Sequence, residues 1–146
     1  MSSDEDKLQT TSAARFEPTL TLEGLRGKIA AFADERDWNK HHTPRNLLLA
    51  MTGEVGELCE CFQWRGDDGQ HPDTWTAADR EHLGEELSDV LIYLIRLADR
   101  CNVDLPAAAL DKIKKNTIKY PAAQVQGSAL KYTAYATDAP RSSVDN

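Results

Sequence analysis

Gly53-Glu54-Val55-Gly56-Glu57 and Glu85-Glu86-Leu87-Ser88-Asp89 each place two carboxylates three residues apart inside an otherwise apolar run. Residues at i and i+3 share one face of a helix, so Glu54 with Glu57 and Glu86 with Asp89 become two-carboxylate claws if both runs are helical. The flanking residues carry that period. Around the first claw, Leu47, Leu48, Met51, Val55, Leu58 and Phe62 fall within one arc of about 100°. Glu54 sits at the edge of the arc and Glu57 about 60° further round, beside Ala50, Gly53 and Cys61. Around the second, Leu83, Leu87, Val90, Leu91, Leu94, Ile95, Leu97 and Ala98 make a broader apolar face. Glu86 lies on its margin, Asp89 about 60° outside it, and Tyr93 between the two, one turn on. Glu85 points about 100° away from Glu86 and reads as a spectator. Two such claws on facing helices make a cation site.

Working outward, Thr43-Pro44 opens the first of these helices, with Thr as N-cap and Pro where its missing donor costs nothing; the helix runs to about Trp64. Arg65 to Trp75 is a Gly-, Asp- and Pro-rich loop, and Thr76 with Asp79 resembles a capping box that opens the next helix, extending to about Asn102. Upstream, Leu22, Leu25, Ile29, Phe32 and Ala33 behind the N-cap Thr21 predict a helix as far as about Trp38, whose ring is either a core lid or a ligand-stacking surface. Downstream, Asp104 and Pro106 open a helix that Pro121 stops. On it Lys112, Asn116 and Lys119 form one polar stripe, read either as a solvated face or as a clamp for phosphate oxygens. No strand alternation, internal repeat or Gly-rich phosphate loop is present, so the expected fold is all-α, a bundle of four or five helices assembling as an oligomer. The expected organisation is a disordered leader over residues 1–18, a helical catalytic domain over 19–121 and a mostly irregular tail over 122–146, with Lys131-Tyr132 the part of the tail suited to pack on the body.

A chain of 146 residues with 40% hydrophobic and 28% charged residues fits one ordinary globular domain. No apolar run approaches the roughly 20 residues of a membrane helix, and the polar, acidic start is no secretory signal, so the expected location is cytosolic with nuclear access open. The formal charge of −7 argues against a nucleic-acid polymer as partner, while a single nucleotide in a local pocket stays allowed. Cys59, Cys61 and Cys101 lie within helical patterns and read as reduced, buried, small apolar residues.

One acidic pair on a helix is usually solvated. Four carboxylates on the core margins of the two most apolar helices ask for partners, and the nearby cations of the second helix, Arg96 and Arg100, lie beyond the claw. A di-iron bundle would supply Glu-x-x-His motifs, which neither claw contains. An oxygen-only donor set suits Mg²⁺, with Mn²⁺ as substitute, and Mg²⁺ leaves coordination positions for water and substrate phosphates. Carboxylates, the Lys and Asn stripe, and the rings of Trp38, Trp64 and Tyr93 together suggest a nucleotide. The competing reading from another class is a noncatalytic helical interaction module whose acids are joined across an oligomer interface.

The spacing Glu-x-x-Glu, twenty-eight residues, Glu-x-x-Asp resembles that of the MazG-like all-α nucleoside triphosphate pyrophosphatases. Within that family, Glu35-Arg36-Asp37-Trp38, Pro44-Arg45-Asn46-Leu47-Leu48-Leu49-Ala50, Phe62-Gln63-Trp64, Glu85 through Leu94 and Val103-Asp104-Leu105-Pro106 are similar to the eukaryotic dCTP pyrophosphatases. The resemblance spans roughly Leu22 to Pro121. It implies Mg²⁺-dependent hydrolysis of dCTP to dCMP and pyrophosphate by a homotetramer, as nucleotide-pool housecleaning, with a broader pyrophosphatase acting on dUTP or damaged nucleotides as the alternative. It also implies that Glu54, Glu57, Glu86 and Asp89 hold the metal and form the catalytic set. Trp38, Trp64, Asp89 and Tyr93 would line the nucleoside pocket, and Lys112, Asn116 and Lys119 would face the phosphates, Lys119 where an Arg is often found. Ile29 departs from the pattern, standing where the mammalian enzymes have a pocket His; base preference, including tolerance of a cytosine C5 substituent, is therefore left open.

Overall fold

The computed structural model describes residues 15–127 apart from Asp68 and Gln70, so most of the expected leader, and Lys131-Tyr132, lie outside the described residues. The chain divides after Asn102 into two units. The first holds α1 (Leu22–Asp34), α2 (Pro44–Gln63) and α3 (Ala77–Arg100), with a single 3₁₀ turn at Pro72–Thr74 before α3. The second holds α4 (Leu105–Lys119) and one helical turn, α5 (Ala122–Val125), at the start of the tail expected to be mostly irregular. No strand occurs among the described residues, and none of their helices is long and apolar enough to cross a membrane.

Every long helix begins at the residue whose side chain caps it. The hydroxyls of Thr21, Thr43 and Thr76 accept from the amides of Gly24, Asn46 and Asp79 at 3.0, 3.3 and 3.1 Å, and the Asp104 carboxylate accepts from Ala107 at 3.0 Å. The Thr76–Asp79 pair is tied both ways, because the Thr hydroxyl also donates to the Asp carboxylate at 2.8 Å and the Thr76 backbone helps hold that carboxyl low. The first helix stops earlier than its apolar spacing predicts. Asp37 takes the left-handed conformation, φ 53°, and Asp37 N–H to Asp34 O and Trp38 N–H to Ala33 O, both 3.0 Å, close a Schellman turn. The hydrophobic contact that accompanies such a turn is made by Trp38 and Phe32, ring centroids 5.8 Å apart and edge to face. Trp38 is thus fixed just outside α1 instead of at its end.

In the first unit α2 and α1 both pack on α3. His42, just before α2, is bonded to Arg96 and Arg100 near the end of α3, while Arg65, just after α2, pairs with Asp79 at the start of α3 at 3.3 Å. The two helices therefore run antiparallel, which sets the middle of one, with Glu54 and Glu57, against the middle of the other, with Glu86 and Asp89. Buried apolar residues among those described are Ala33, Leu47, Cys61, Trp75 and Ile95. Leu48, Val55 and Phe62 of the expected α2 arc, and Leu87, Leu91 and Leu94 of the α3 face, are exposed. Of the cysteines expected to be buried, only Cys61 is; Cys59 faces out from α2 and Cys101 caps α3.

Candidate active site

The antiparallel pairing brings three of the four claw acids into one cluster. Ligand oxygens of Glu54, Glu57 and Glu86 lie within 4.8 Å of one another. Glu57 is exposed, Glu54 half-buried, and Glu86 only 7% exposed. Glu86 Oε1 is 3.4 Å from Nδ1 of His82, one turn earlier, and its Oε2 is buried with no hydrogen-bond partner. A buried carboxylate oxygen without a donor is costly, and among the described residues no Lys or Arg pairs with Glu86 to relieve it. Arg96, one of the two cations that lie beyond the claw on α3, pairs with Asp99 at 2.7 Å. The repulsion is visible in Glu54, whose carboxyl is pushed up by burial and then by Asp89, Glu57 and Glu86. An orphaned buried oxygen within an oxygen-only set is the environment a hard divalent cation satisfies.

Asp89, the fourth acid, lines an acidic hollow with Glu81, Gly84, Glu85, Glu86 and Ser88. It also lines the neighbouring cleft of about 400 Å³, whose other walls include Leu25, Ile29, Phe32, Trp38, Leu47, Ile92 and Tyr93. Asp89 thus joins the carboxylate cluster to a largely apolar, aromatic-walled space. Tyr93 reports the same proximity: burial, then Glu54 and Asp89, push its hydroxyl up. The cleft gathers Ile29, Trp38, Asp89 and Tyr93 from α1, the α1–α2 connection and α3.

Of the expected site residues in the first unit, Trp64 does not line this cleft. Trp64 caps α2, is 86% exposed and lines a separate hollow with Glu60, Cys61, Arg65 and His82. Lys112, Asn116 and Lys119 lie on α4, in the second unit; both lysines are exposed, Asn116 is half-buried, and Lys119 Nζ stands 5.4 Å from the Tyr120 ring centre. The sequence reading also missed residues of the cleft. Arg96 lines it and is 4% exposed, as does the half-buried His42. A signal for Arg96 was present, since Asp89, Tyr93 and Arg96 fall at i, i+4 and i+7 on one stripe of α3. For His42 there was none, because a connection between helices has no period.

The MazG-like family pattern matches residues 50–134 of this chain. The chain belongs to the MazG-like family. Among its relatives, dCTP pyrophosphatase 1 of Mus musculus is 53% identical over 130 residues, spanning 89% of this chain and 74% of that protein. The human dCTP pyrophosphatase 1 is 55% identical over 118 residues, spanning 81% and 69%. The crystal structure of a pyrophosphatase from Archaeoglobus fulgidus superposes with a TM-score of 0.57 at 33% identity, covering 74% of this chain and 99% of that one.

Proposed function

We propose that the chain is a divalent-cation-dependent pyrophosphatase that hydrolyses dCTP to dCMP and pyrophosphate. The observation that carries this reading is Asp89, which lines both the acidic hollow beside Glu86 and the aromatic-walled cleft. The relatives named dCTP pyrophosphatase supply the base and the bond. Glu54, Glu57, Glu86 and Asp89 would hold Mg²⁺. When bound, the ion supplies positive charge opposite phosphate oxygens and lowers the pKa of water. The chain's own residues supply the rest. Trp38 and Tyr93 offer ring faces for the base, Asp89 offers an acceptor to an exocyclic amine, and a cluster carboxylate takes the proton of the water that attacks the α-phosphorus. Lys112, Asn116 and Lys119 offer donors to the departing pyrophosphate. The active form would be a homotetramer, in which the exposed Trp64 has a partner surface to meet.

Pyrophosphate release measured over a panel of dCTP, C5-substituted dCTP, dUTP, dTTP and purine triphosphates, with Mg²⁺ and with chelator, tests this. Turnover of dCTP above the other unmodified nucleotides, and only with the metal, is expected. Equal turnover of all of them would leave a broad pyrophosphatase, and no turnover would overturn the reading.

A further inference from the structure

The α1–α2 connection brings Trp38 and His42 to the cleft, ring centroids 5.9 Å apart, and it is held in place from α3. Arg96 directs Nε to His42 Nδ1 at 3.2 Å, Nη1 to Asp99 Oδ2 at 2.7 Å and Nη2 to Asn39 Oδ1. Arg100 Nε donates to the His42 carbonyl at 3.0 Å. Asp99 already has a second cation, Arg26 of α1, whose Nη1 donates to Oδ1 at 3.1 Å. Pairing Asp99 therefore does not require the burial of another guanidinium, which is costly beside Ile92 and Ile95 unless its donors are used. The use that remains is the connection itself.

A guanidinium has only donors, so Nδ1 of His42 is the acceptor in this contact. A neutral imidazole that accepts at Nδ1 carries its proton on Nε2. The charged groups facing the ring are Arg96 and Arg100 of α3 and His41 of its own segment; burial and these neighbours together disfavour the imidazolium. We infer that Arg96 is a positioning residue for nucleoside recognition, fixing His42 as its Nε2–H tautomer and tying the Trp38–His42 segment to α3, so that the cleft keeps a permanent donor for a base edge that offers an acceptor. This role rests on the nucleotide reading above. Pyrimidines present such acceptors at ring nitrogen or carbonyl oxygen, and Asp89 supplies the complementary acceptor to an amine. A tautomer exchange at His42 would turn that donor into an acceptor and oppose the same edge.

Long-range ¹⁵N–¹H spectra of the histidine rings of the full chain, with His42 assigned by His42→Gln, read the tautomer without nucleotide. A proton on Nε2 and a bare Nδ1 are expected. Arg96→Lys keeps a charge for Asp99 but lacks the planar fork, and Arg96→Met removes both. Each is expected to give mixed His42 tautomers and to raise KM for dCTP about tenfold while kcat stays within about twofold, the pattern of lost ground-state and transition-state binding together. A proton on Nδ1 in the parent chain, or an unchanged KM in Arg96→Lys, overturns the inference. The parent spectrum decides the tautomer even where a variant does not fold. Absence of dCTP turnover by the parent chain overturns the functional reading, and the recognition role with it, while leaving the tautomer measurement intact.

Discussion

Glu86 holds one carboxylate oxygen against His82 and buries the other without a partner among the described residues, in a cluster with Glu54 and Glu57. Removing one negative charge there relieves repulsion in the absence of metal. Glu57→Gln and Asp89→Asn are therefore expected to abolish dCTP turnover while leaving the melting temperature in chelator unchanged or higher. The pH dependence has a definite sign. Glu54 is pushed above its ordinary value by burial and by its acidic neighbours, so the folded chain binds that proton more tightly than the unfolded one. Its charged form weighs on the fold above the folded pKa, and the weight lifts as pH falls through it. The stabilisation of Glu57→Gln over the parent in chelator should accordingly be largest at neutral pH and shrink toward about pH 4–5, read by thermal scans across that range. A large loss of melting temperature with activity retained would contradict the assignment.

At the scale of elements, the loop between α2 and α3 is as consequential as either helix. Trp75 is 6% exposed, packs on Phe62 at 5.0 Å between ring centroids, donates Nε1–H to Gly69 O at 2.7 Å and lies under the Arg65 guanidinium at 3.8 Å. A side chain at Gly69 would run into the Arg65 backbone carbonyl, so the glycine is required for the loop to close over the tryptophan. Trp75→Ala should cost about 3 kcal/mol or more in urea unfolding, the range for emptying a buried aromatic site. Thr76→Ala, which removes the α3 cap, should cost about 1 kcal/mol. Asp79 has the opposite sign to Glu54: its bond from Thr76 and the nearby Arg65 hold it below the usual carboxylate range, so its contribution is present above the unfolded pKa and lost as pH falls through the folded value. Trp64→Ala, at an 86% exposed position, should leave the unfolding of an isolated chain nearly unchanged.

For the whole molecule, the exposed apolar side chains matter most. Leu48, Val55 and Phe62 of α2 and Leu87, Leu91 and Leu94 of α3 remain in contact with solvent although their spacing is that of core residues. Apolar residues exposed along long helices in this way suit the subunit faces of the proposed tetramer. Light scattering after size exclusion should give about four times the 16.2 kDa chain mass, as the proposed tetramer requires. Leu87→Lys with Leu91→Lys should lower that mass and the activity together. A fully active monomer at micromolar concentration would contradict the proposal.

Helical period and caps were legible in the chain, because each depends on residues within a turn of one another: Thr43, Thr76 and Asp104 cap where the sequence places them, and Glu54 and Glu57 share a face as their spacing demands. The end of α1 was not legible, since Asp37 in the left-handed conformation is chosen by the Phe32–Trp38 contact as much as by its own propensity. Neither was the use of Arg96, which lies beyond the claw along α3 and which the fold assigns to Asp99, Asn39 and His42. Residues 54, 57 and 86 are joined, and Asp89 is shared with the cleft, only once α2 lies antiparallel on α3. Local spacing determined which side chains each helix presents; the tertiary packing decided which of them meet, because contacts between elements depend on relative position that no period along one chain encodes.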